Sequence, residues 1–275
     1  MNKEGGLVGF RKASAKNGDD TTLSRFVKIT GTADEKPRHK TRQPRLPGME
    51  PVWVQEGRTK FPKAVKDHRT GTRILKSGHN NAKIGRDVRK GKLKGYWIYT
   101  LSFEERKTCP ASCLHWQSCY GNNMPFADRF DHAAPGFLAA LAEEIRVLCQ
   151  SKAGVLIRLH ALGDFYSSGY VGFWWRMLAE HSNLAVFGYT AHQPVPGFAG
   201  DIGTCIDLMN VRFPDRCWIR FSNGGRGQDC TVTIGREESR PKNAFICPEQ
   251  TSKSACCATC SACWSTRKNV AFLEH

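Results

Sequence analysis

Residues 154–181 read GVLIRLHALGDFYSSGYVGFWWRMLAEH, a run that contains a strand, a turn and a helix in succession. GVLIRLHA (154–161) is rich in branched apolar residues, which is typical of a buried strand. The aromatic-rich segment 169–181 predicts a helix. Gly163 and Asp164 lie between the two, where a glycine permits a tight turn and a close approach of a ligand. The stretch therefore predicts a βα unit with polar chemistry at its turn.

The chain repeats this alternation from residue 95 onward. Alternating strands and helices favour a parallel sheet or barrel, and sites in such folds form at the carboxyl ends of the strands. The expected fold class is therefore α/β, with a partial (β/α) barrel as its core. The other predicted strands are 95–103, 184–190, 217–223, 230–235 and 243–248, and the other predicted helices are 133–149 and 201–212.

The 275 residues are enough for one large domain or two modest ones. Residues 1–50 are rich in charge and poor in apolar side chains, which predicts a basic, largely disordered arm. We expect a basic extension packed on the core at 51–94, the barrel core with a first metal cluster at 95–240, and a C-terminal four-cysteine segment at 241–275.

Positive charge is concentrated in the first third of the chain. Residues 1–100 hold 24 Lys and Arg against 9 Asp and Glu, whereas residues 101–275 hold 17 against 16. This asymmetry is typical of a surface that binds a polyanion, and nucleic acid is the expected one. The alternative is a solvated tail without a partner.

Twelve cysteines in this chain favour metal binding over disulfides. The sequence has no run of eighteen apolar residues, and its N-terminus lacks an apolar signal region. We therefore expect no membrane span and a cytoplasmic location. Thiols stay reduced there, so clustered cysteines are better explained as metal ligands.

The first cysteine group lies in TCPASCLHWQSCYG (108–121). Cys109, Cys113 and Cys119 can bind three irons of a [4Fe–4S] cluster and leave the fourth iron without a cysteine. His115 is the first protein candidate for that open position and His160 the next, although a satisfied core histidine is the better interpretation of His160. The alternatives are zinc bound by the three cysteines with His115 or water, and reduced thiols without a metal.

The second group lies in CPEQTSKSACCATCSACW (247–264). A C-x2-C-x2-C run of Cys257, Cys260 and Cys263, with Cys247 before a proline, is close to the ferredoxin arrangement. Iron–sulfur is favoured over zinc here, and Cys256 is an alternative to Cys257. The remaining cysteines are expected to be small buried residues: Cys149, Cys205, Cys217 and Cys230.

Polar residues also follow the other predicted strands, which makes them candidate cofactor contacts. Asp164 suits an ammonium or hydroxyl of a ligand, with a helix N-cap as the alternative. The candidate cofactor-binding residues are Gly163, Asp164, Thr190, Ser222 and Asn223.

A cysteine triad after the first strand, a Gly-acid turn after the second and a threonine after the third resemble the radical S-adenosylmethionine (radical SAM) enzymes. In that superfamily the triad binds a [4Fe–4S] cluster and the Gly-acid turn receives the methionine amino group. The resemblance implies the first role for the triad and the second for Asp164. The terminal cysteines resemble the auxiliary clusters of such enzymes. The second gap of the triad is five residues here instead of two, and Leu162-Gly163-Asp164 stands where Gly-Gly-Glu is usual.

A more specific resemblance is to a phage- and plasmid-borne family known as gene product eighty-eight. TCPASC, RLHALGDF and CATCSACW followed by VAFLEH are similar to its shared segments, and the likeness covers about residues 70–275. It implies an architecture and a mobile-element origin, but no reaction.

Two functions are expected from these features. The first is an enzyme in which S-adenosylmethionine binds the open iron, an electron donor reduces the cluster, and the basic arm brings a nucleic acid or another macromolecule to the barrel. The second is a non-catalytic iron–sulfur or zinc protein that binds nucleic acid or a host protein. A phage-encoded protein of either kind acts in the host-cell cytoplasm.

Overall fold

The computed structural model of the protein describes residues 57–195, 197–198, 200–222 and 230–274. The predicted arm at 1–50 and Asn223 lie outside these residues. Within them the α-helices are α1 (Phe137–Ser151), α2 (Ser168–Glu180), α3 (Ile202–Arg212) and α4 (Cys257–Cys260), and the 3₁₀ helices are Pro62–Ala64, His68–Thr70, Gly78–Asn80, Tyr120–Asn123 and Ala262–Trp264. The strands are β1 (Val65–Lys66), β2 (Lys76–Ser77), β3 (Trp97–Ser102), β4 (Arg129–Phe130), β5 (Val155–Leu162), β6 (Leu184–Thr190), β7 (Cys217–Ser222), β8 (Cys230–Ile234), β9 (Ala244–Ile246) and β10 (Asn269–Leu273).

Eight of these strands form one sheet in the order β2-β3-β5-β6-β7-β8-β10-β9. All neighbours are parallel except β2, which is antiparallel to β3. The short strands β1 and β4 form a separate parallel pair. The predicted α/β class with a mostly parallel sheet is therefore confirmed. In the described part of the chain the edge strands β2 and β9 do not pair, so the sheet is open there.

The helices α1, α2 and α3 cover one face of the sheet. β3, β5, β6, β7 and β8 lie side by side in chain order, and a constant direction of crossover places successive helices on the same side. Leu141, Trp174 and Ile206 from the three helices join this core and are fully buried. The opposite face is covered by the loop before β3 and by the C-terminal segment, through Ile84 and Trp264 among others.

Local signals explain where two helices begin. α1 starts at Phe137, later than the predicted 133, because Gly136 before it has a φ of +79° and is outside the helical conformation. α2 is capped by Ser167, whose hydroxyl accepts a hydrogen bond from the Tyr170 amide at 3.1 Å. The N-cap role considered for Asp164 is therefore wrong.

The strand β10 was not predicted, and it ties the C-terminus into the sheet. It inserts between β8 and β9, with Val270 opposite Thr231 and Phe245. Val270 and Ala271 are fully buried. The four-cysteine segment is thus held between two strands of the main sheet, β9 and β10. No helix among the described residues is long and apolar enough to cross a membrane.

Candidate metal centres

The three cysteines of the first group lie in the loop after β3, at the carboxyl edge of the sheet. Cys109, Cys113 and Cys119 are each half-buried, and all three thiols interact electrostatically with the guanidinium of Arg106. Burial raises the pKa of each thiol, to about 11 for Cys119. After burial, the charge of Asp164 raises the pKa of Cys109 further. The loop therefore gathers the three predicted ligands near one cation and near the acid of the Gly-Asp turn.

Each of these thiols also accepts a main-chain hydrogen bond, which lowers its pKa. Amide donors stabilise a thiolate, and hydrogen bonds to sulfur are one of the factors that set the potential of an iron–sulfur cluster. The backbone of the loop thus favours the ligating form of all three side chains. The main chain of Arg106 donates to Cys109, that of His115 to Cys113, and that of Gly121 to Cys119.

Arg106 fastens this loop with its side chain. The guanidinium donates to the main-chain oxygens of Trp116 at 3.0 Å and Arg58 at 3.2 Å, and to the side-chain oxygen of Asn122. Its φ of +69° is uncommon for a residue with a Cβ atom. Sequence reasoning missed this residue, for which the only local signal is a charge between the strand and the first cysteine.

A buried ion pair lies behind the loop and was also missed. Arg129 Nε and Glu105 Oε2 are 2.7 Å apart, and neither side chain is more than 1% exposed. The Thr59 hydroxyl donates to Glu105 at 2.6 Å, and Arg129 donates to the Gly121 carbonyl at 3.1 Å. Removing one partner of such a pair leaves an uncompensated charge and costs about 3–5 kcal/mol. The pair connects the residues before the first cysteine to those after the third.

The Gly-Asp turn is linked directly to this loop. The Asp164 amide donates to the hydroxyl of Thr108 at 3.1 Å, and Thr108 immediately precedes the first cysteine. The Asp164 carboxylate accepts from the amides of Phe165 and Ala191, both at 2.7 Å. Burial raises the pKa of this carboxyl, and the hydrogen bonds oppose that shift. A carboxylate has about four acceptor sites, so it retains capacity for a donor from a ligand.

The other predicted cofactor residues lie at the ends of β6 and β7. The Thr190 hydroxyl donates a hydrogen bond to Asp164, which lowers the pKa of that carboxyl. The Ser222 carbonyl accepts from the side-chain amide of Gln193 at 3.0 Å. Asn223 lies outside the described residues. The structure thus brings Asp164 and Thr190 together and places Ser222 at the same edge of the sheet, two strands from β5.

The two candidate histidines interact with other groups. His115 Nε2 lies 3.0 Å from the hydroxyl of Thr233 on β8. His160 is buried in the helix-side core, with its Nε2 2.9 Å from the Tyr170 hydroxyl. Burial lowers the pKa of His160 to about 3, so its ring is neutral. The structure therefore gives both rings protein partners.

The second cysteine group lines one small cavity, of about 10 Å³, on the side of the sheet opposite the helices. Cys256 instead forms a capping box with Thr259 at the start of α4. The cavity-lining cysteines are the four selected by the C-x2-C-x2-C spacing and the Cys-Pro pair: Cys247, Cys257, Cys260 and Cys263.

The surroundings of this cavity suit a metal centre. Burial and then the neighbouring Cys263 raise the pKa of Cys257 to about 12, while the charges of Arg158 and Lys83 oppose that shift. The Tyr189 hydroxyl lies 3.0 Å from the Cys263 sulfur. Closely spaced buried thiols are poor acids alone, but a bound metal deprotonates them and offsets their mutual repulsion. The donor set therefore fits a thiolate-bound metal.

Single metal ions and iron–sulfur clusters make different demands on the positions of their ligands. No group of three or more His, Cys, Asp or Glu side chains among the described residues is arranged to hold a single metal ion. In a [4Fe–4S] cluster each iron takes its own thiolate, so the ligands surround the cluster and do not meet at one point. Cysteines that line a cavity or share a loop are compatible with that second arrangement.

The fold and these two groups define an α/β protein with a mostly parallel sheet and two cysteine-rich candidate centres. The chain is similar to the proteins named Gene 88 protein of Mycobacterium phage D29 and Mycobacterium phage L5, with 26% identity over 145 residues in each case. The match covers 48% of this chain and 60% of each relative. No family model and no solved structure matches the chain. The relatives support a phage origin, and the likeness to radical SAM enzymes stays a prediction.

The variant Gly163→Ala is expected to destabilise the turn beside the first cysteine group. Gly163 has a φ of +82°, and an added methyl group would lie 2.6 Å from the Thr108 hydroxyl and 2.8 Å from Phe103 Cβ. Backbone strain and overpacking together should lower the free energy of unfolding by about 2–4 kcal/mol. Urea denaturation measures this change.

Gly95→Ala is the matched control. Gly95 has a φ of +89°, but nothing lies within 4 Å of an added methyl group. Gly95→Ala should lower the free energy of unfolding only by the cost of backbone strain, about 1–2 kcal/mol. Equal losses in the two variants would contradict a tight contact between the Gly-Asp turn and the cysteine loop.

Proposed function

We propose that this chain is an iron–sulfur protein of phage origin that binds two [4Fe–4S] clusters. The observation that carries the proposal is the loop after β3, where three thiols lie near Arg106 and each accepts a main-chain hydrogen bond. Three thiolates leave one iron of a cluster without a cysteine. The first cluster is held by Cys109, Cys113 and Cys119, and the second by Cys247, Cys257, Cys260 and Cys263.

The second centre has a full set of four thiols, which suits a structural or electron-transferring role. Its position between β9 and β10 makes it a cross-link of the C-terminal segment. The Tyr189 hydroxyl at 3.0 Å from Cys263 adds a hydrogen-bond partner that tunes the centre. Zinc is the alternative metal here, because four thiolates also form closed zinc sites; zinc would require the four sulfurs to move together, since no described group is arranged to hold a single ion.

The finer proposal is a partial (β/α) barrel of radical-SAM type. It is supported by five parallel strands in chain order with the three long helices on one face. The candidate contacts for S-adenosylmethionine are Gly163, Asp164, Thr190, Ser222 and Asn223. Asp164 would accept a hydrogen bond from the amino group, and the glycine would let the backbone approach. When bound, a cluster with an open iron would supply one-electron reductive cleavage of this cofactor, with the electron coming from an external donor.

Nucleic acid is the proposed partner, and the host-cell cytoplasm is the proposed location. Residues 1–100 hold 24 Lys and Arg against 9 Asp and Glu, so this part of the chain attracts a polyanion. The phage relatives are consistent with action in an infected cell.

Anaerobic purification followed by iron, sulfide and zinc analysis tests the proposal. We expect about eight irons and eight sulfides per chain, as two [4Fe–4S] clusters require. Reduced protein should give a paramagnetic resonance signal that changes when S-adenosylmethionine is added. Stoichiometric zinc without iron would refute the clusters.

A non-catalytic iron–sulfur protein is the second candidate. It is favoured by the five-residue second gap of the triad and by the Leu-Gly-Asp sequence at the turn. This candidate predicts a full iron content with a signal that S-adenosylmethionine does not change. It also predicts no 5′-deoxyadenosine after reduction.

A further inference from the structure

A groove at the amino end of β3 is separate from both cysteine groups. Its volume is about 520 Å³. Trp97 begins β3 and Lys152 lies just before β5, whereas Cys109 and Asp164 follow the carboxyl ends of these strands. The lining reaches Tyr99, three residues before the end of β3, and a strand rises about 3.3 Å per residue, so about 10 Å of strand separates the groove from the start of the cysteine loop. The groove is therefore a surface of its own.

The charged residues that line this groove are all cations. Arg73, Lys76 and Lys152 line it, and within the described residues no Asp or Glu does. Lys76 Nζ lies 2.8 Å from Asp128, but both side chains are about one-third exposed, and such pairs are worth little. The surrounding segment 57–100 carries 13 Lys and Arg against 2 Asp and Glu. The potential in the groove is therefore positive and favours a polyanion.

The Trp97 ring contacts two cations, of which Lys152 lines the groove and Arg86 lies outside its lining. Lys152 Nζ lies 4.4 Å from the centre of the Trp97 ring, and the Arg86 guanidinium carbon lies 5.3 Å from it. Cation–π attraction orders both side chains. Because cations already contact the Trp97 ring, and Tyr99, the other aromatic residue of the lining, is only 7% exposed, a base has little room to stack in the groove. The hydroxyl of Ser77 and the amide of Asn80 add neutral donors. The groove is thus built to bind charge and not to recognise a base.

We propose that this groove binds the phosphate backbone of a single-stranded nucleic acid without sequence preference. Its volume is that of a site for one small ligand, so it can enclose one or two nucleotides of a single strand. A duplex is too wide to enter and would touch only the rim. The inference deepens the nucleic-acid part of the proposed function and does not require either cluster.

The test measures binding of the full chain to a labelled oligothymidylate of about 15 nucleotides by fluorescence anisotropy over a range of salt concentrations. The test variant is Arg73→Gln/Lys76→Gln/Lys152→Gln. The control variant, Lys63→Gln/Lys242→Gln/Lys253→Gln, loses the same charge from exposed positions outside the groove. A duplex of the same length and vesicles of phosphatidylserine are the competing ligands. Iron content and melting temperature are recorded for every variant.

We expect the test variant to bind the single strand roughly 10- to 50-fold more weakly at about 0.1 M salt, with a salt slope smaller by about 2, since each phosphate contact contributes about 0.7. The control should change affinity less than about threefold. Equal losses of affinity in both variants, or tighter binding to duplex or vesicles, would contradict the proposal that the groove binds a single strand. Unchanged iron in the test variant keeps this outcome distinct from failure of the cluster proposal.

Discussion

Replacing Cys109, Cys113 and Cys119 together by alanine is expected to remove about half of the iron and to leave the fold in place. The second centre has its own four cysteines, so iron should fall from about eight to about four atoms per chain. The loop is anchored by the buried pair of Arg129 and Glu105, and that pair uses no thiol. The strands that precede and follow the loop also pair without any contribution from the thiols. Anaerobic iron and sulfide analysis measures the loss.

The spectrum of the same variant gives a second, independent readout. Any change that S-adenosylmethionine causes in the paramagnetic resonance signal should disappear, because the open iron belongs to the first cluster. Cys205→Ala is the control, since this half-buried cysteine lies in α3 and outside both groups. An unchanged iron content would show that the triad is not a ligand set. Complete loss of iron would show that the second centre depends on the first.

The central strands could be predicted from sequence because burial on both faces demands continuous apolar composition. β5 was expected at 154–161 and spans Val155–Leu162. β10 was not expected, although its residues are equally apolar. Its position between β8 and β9 depends on pairing with residues far away along the chain, such as Val270 with Thr231. Such long-range pairing cannot be recognised from a short stretch of sequence.

The cysteines could be chosen as candidate ligands for a similar reason, since ligand spacing is a local property. The roles of the charged residues that support these cysteines could not be predicted. Glu105, Arg106 and Arg129 resemble surface residues in the sequence, yet each is at most 3% exposed. Only the fold shows that they are buried and paired. For His160 the sequence favoured a core histidine over a ligand, and packing does put its ring in the apolar core.

The adjacent cysteines at 256 and 257 provide the sharpest test of the second centre. Cys257 lines the cavity, whereas Cys256 caps α4 through Thr259. Cys257→Ser replaces a soft thiolate with a hydroxyl that iron binds poorly. Cys256→Ser keeps a good N-cap, because serine is among the preferred residues at that position. We therefore expect opposite results from two substitutions that are chemically identical and one residue apart.

Cys257→Ser should lose the iron of the second centre and several kcal/mol of stability, because binding energy at a structural metal site is also folding energy. In a chain of this size that loss lowers the melting temperature by about 10 °C or more. The effect should spread to the sheet, since Trp264 beside the cavity packs on Phe187 of β6 with ring centres 4.7 Å apart. Cys256→Ser should stay within about 0.5 kcal/mol of the unsubstituted protein and keep all its iron. Loss of iron from Cys256→Ser alone would make Cys256 the ligand, and loss of zinc instead of iron from Cys257→Ser would establish the zinc alternative.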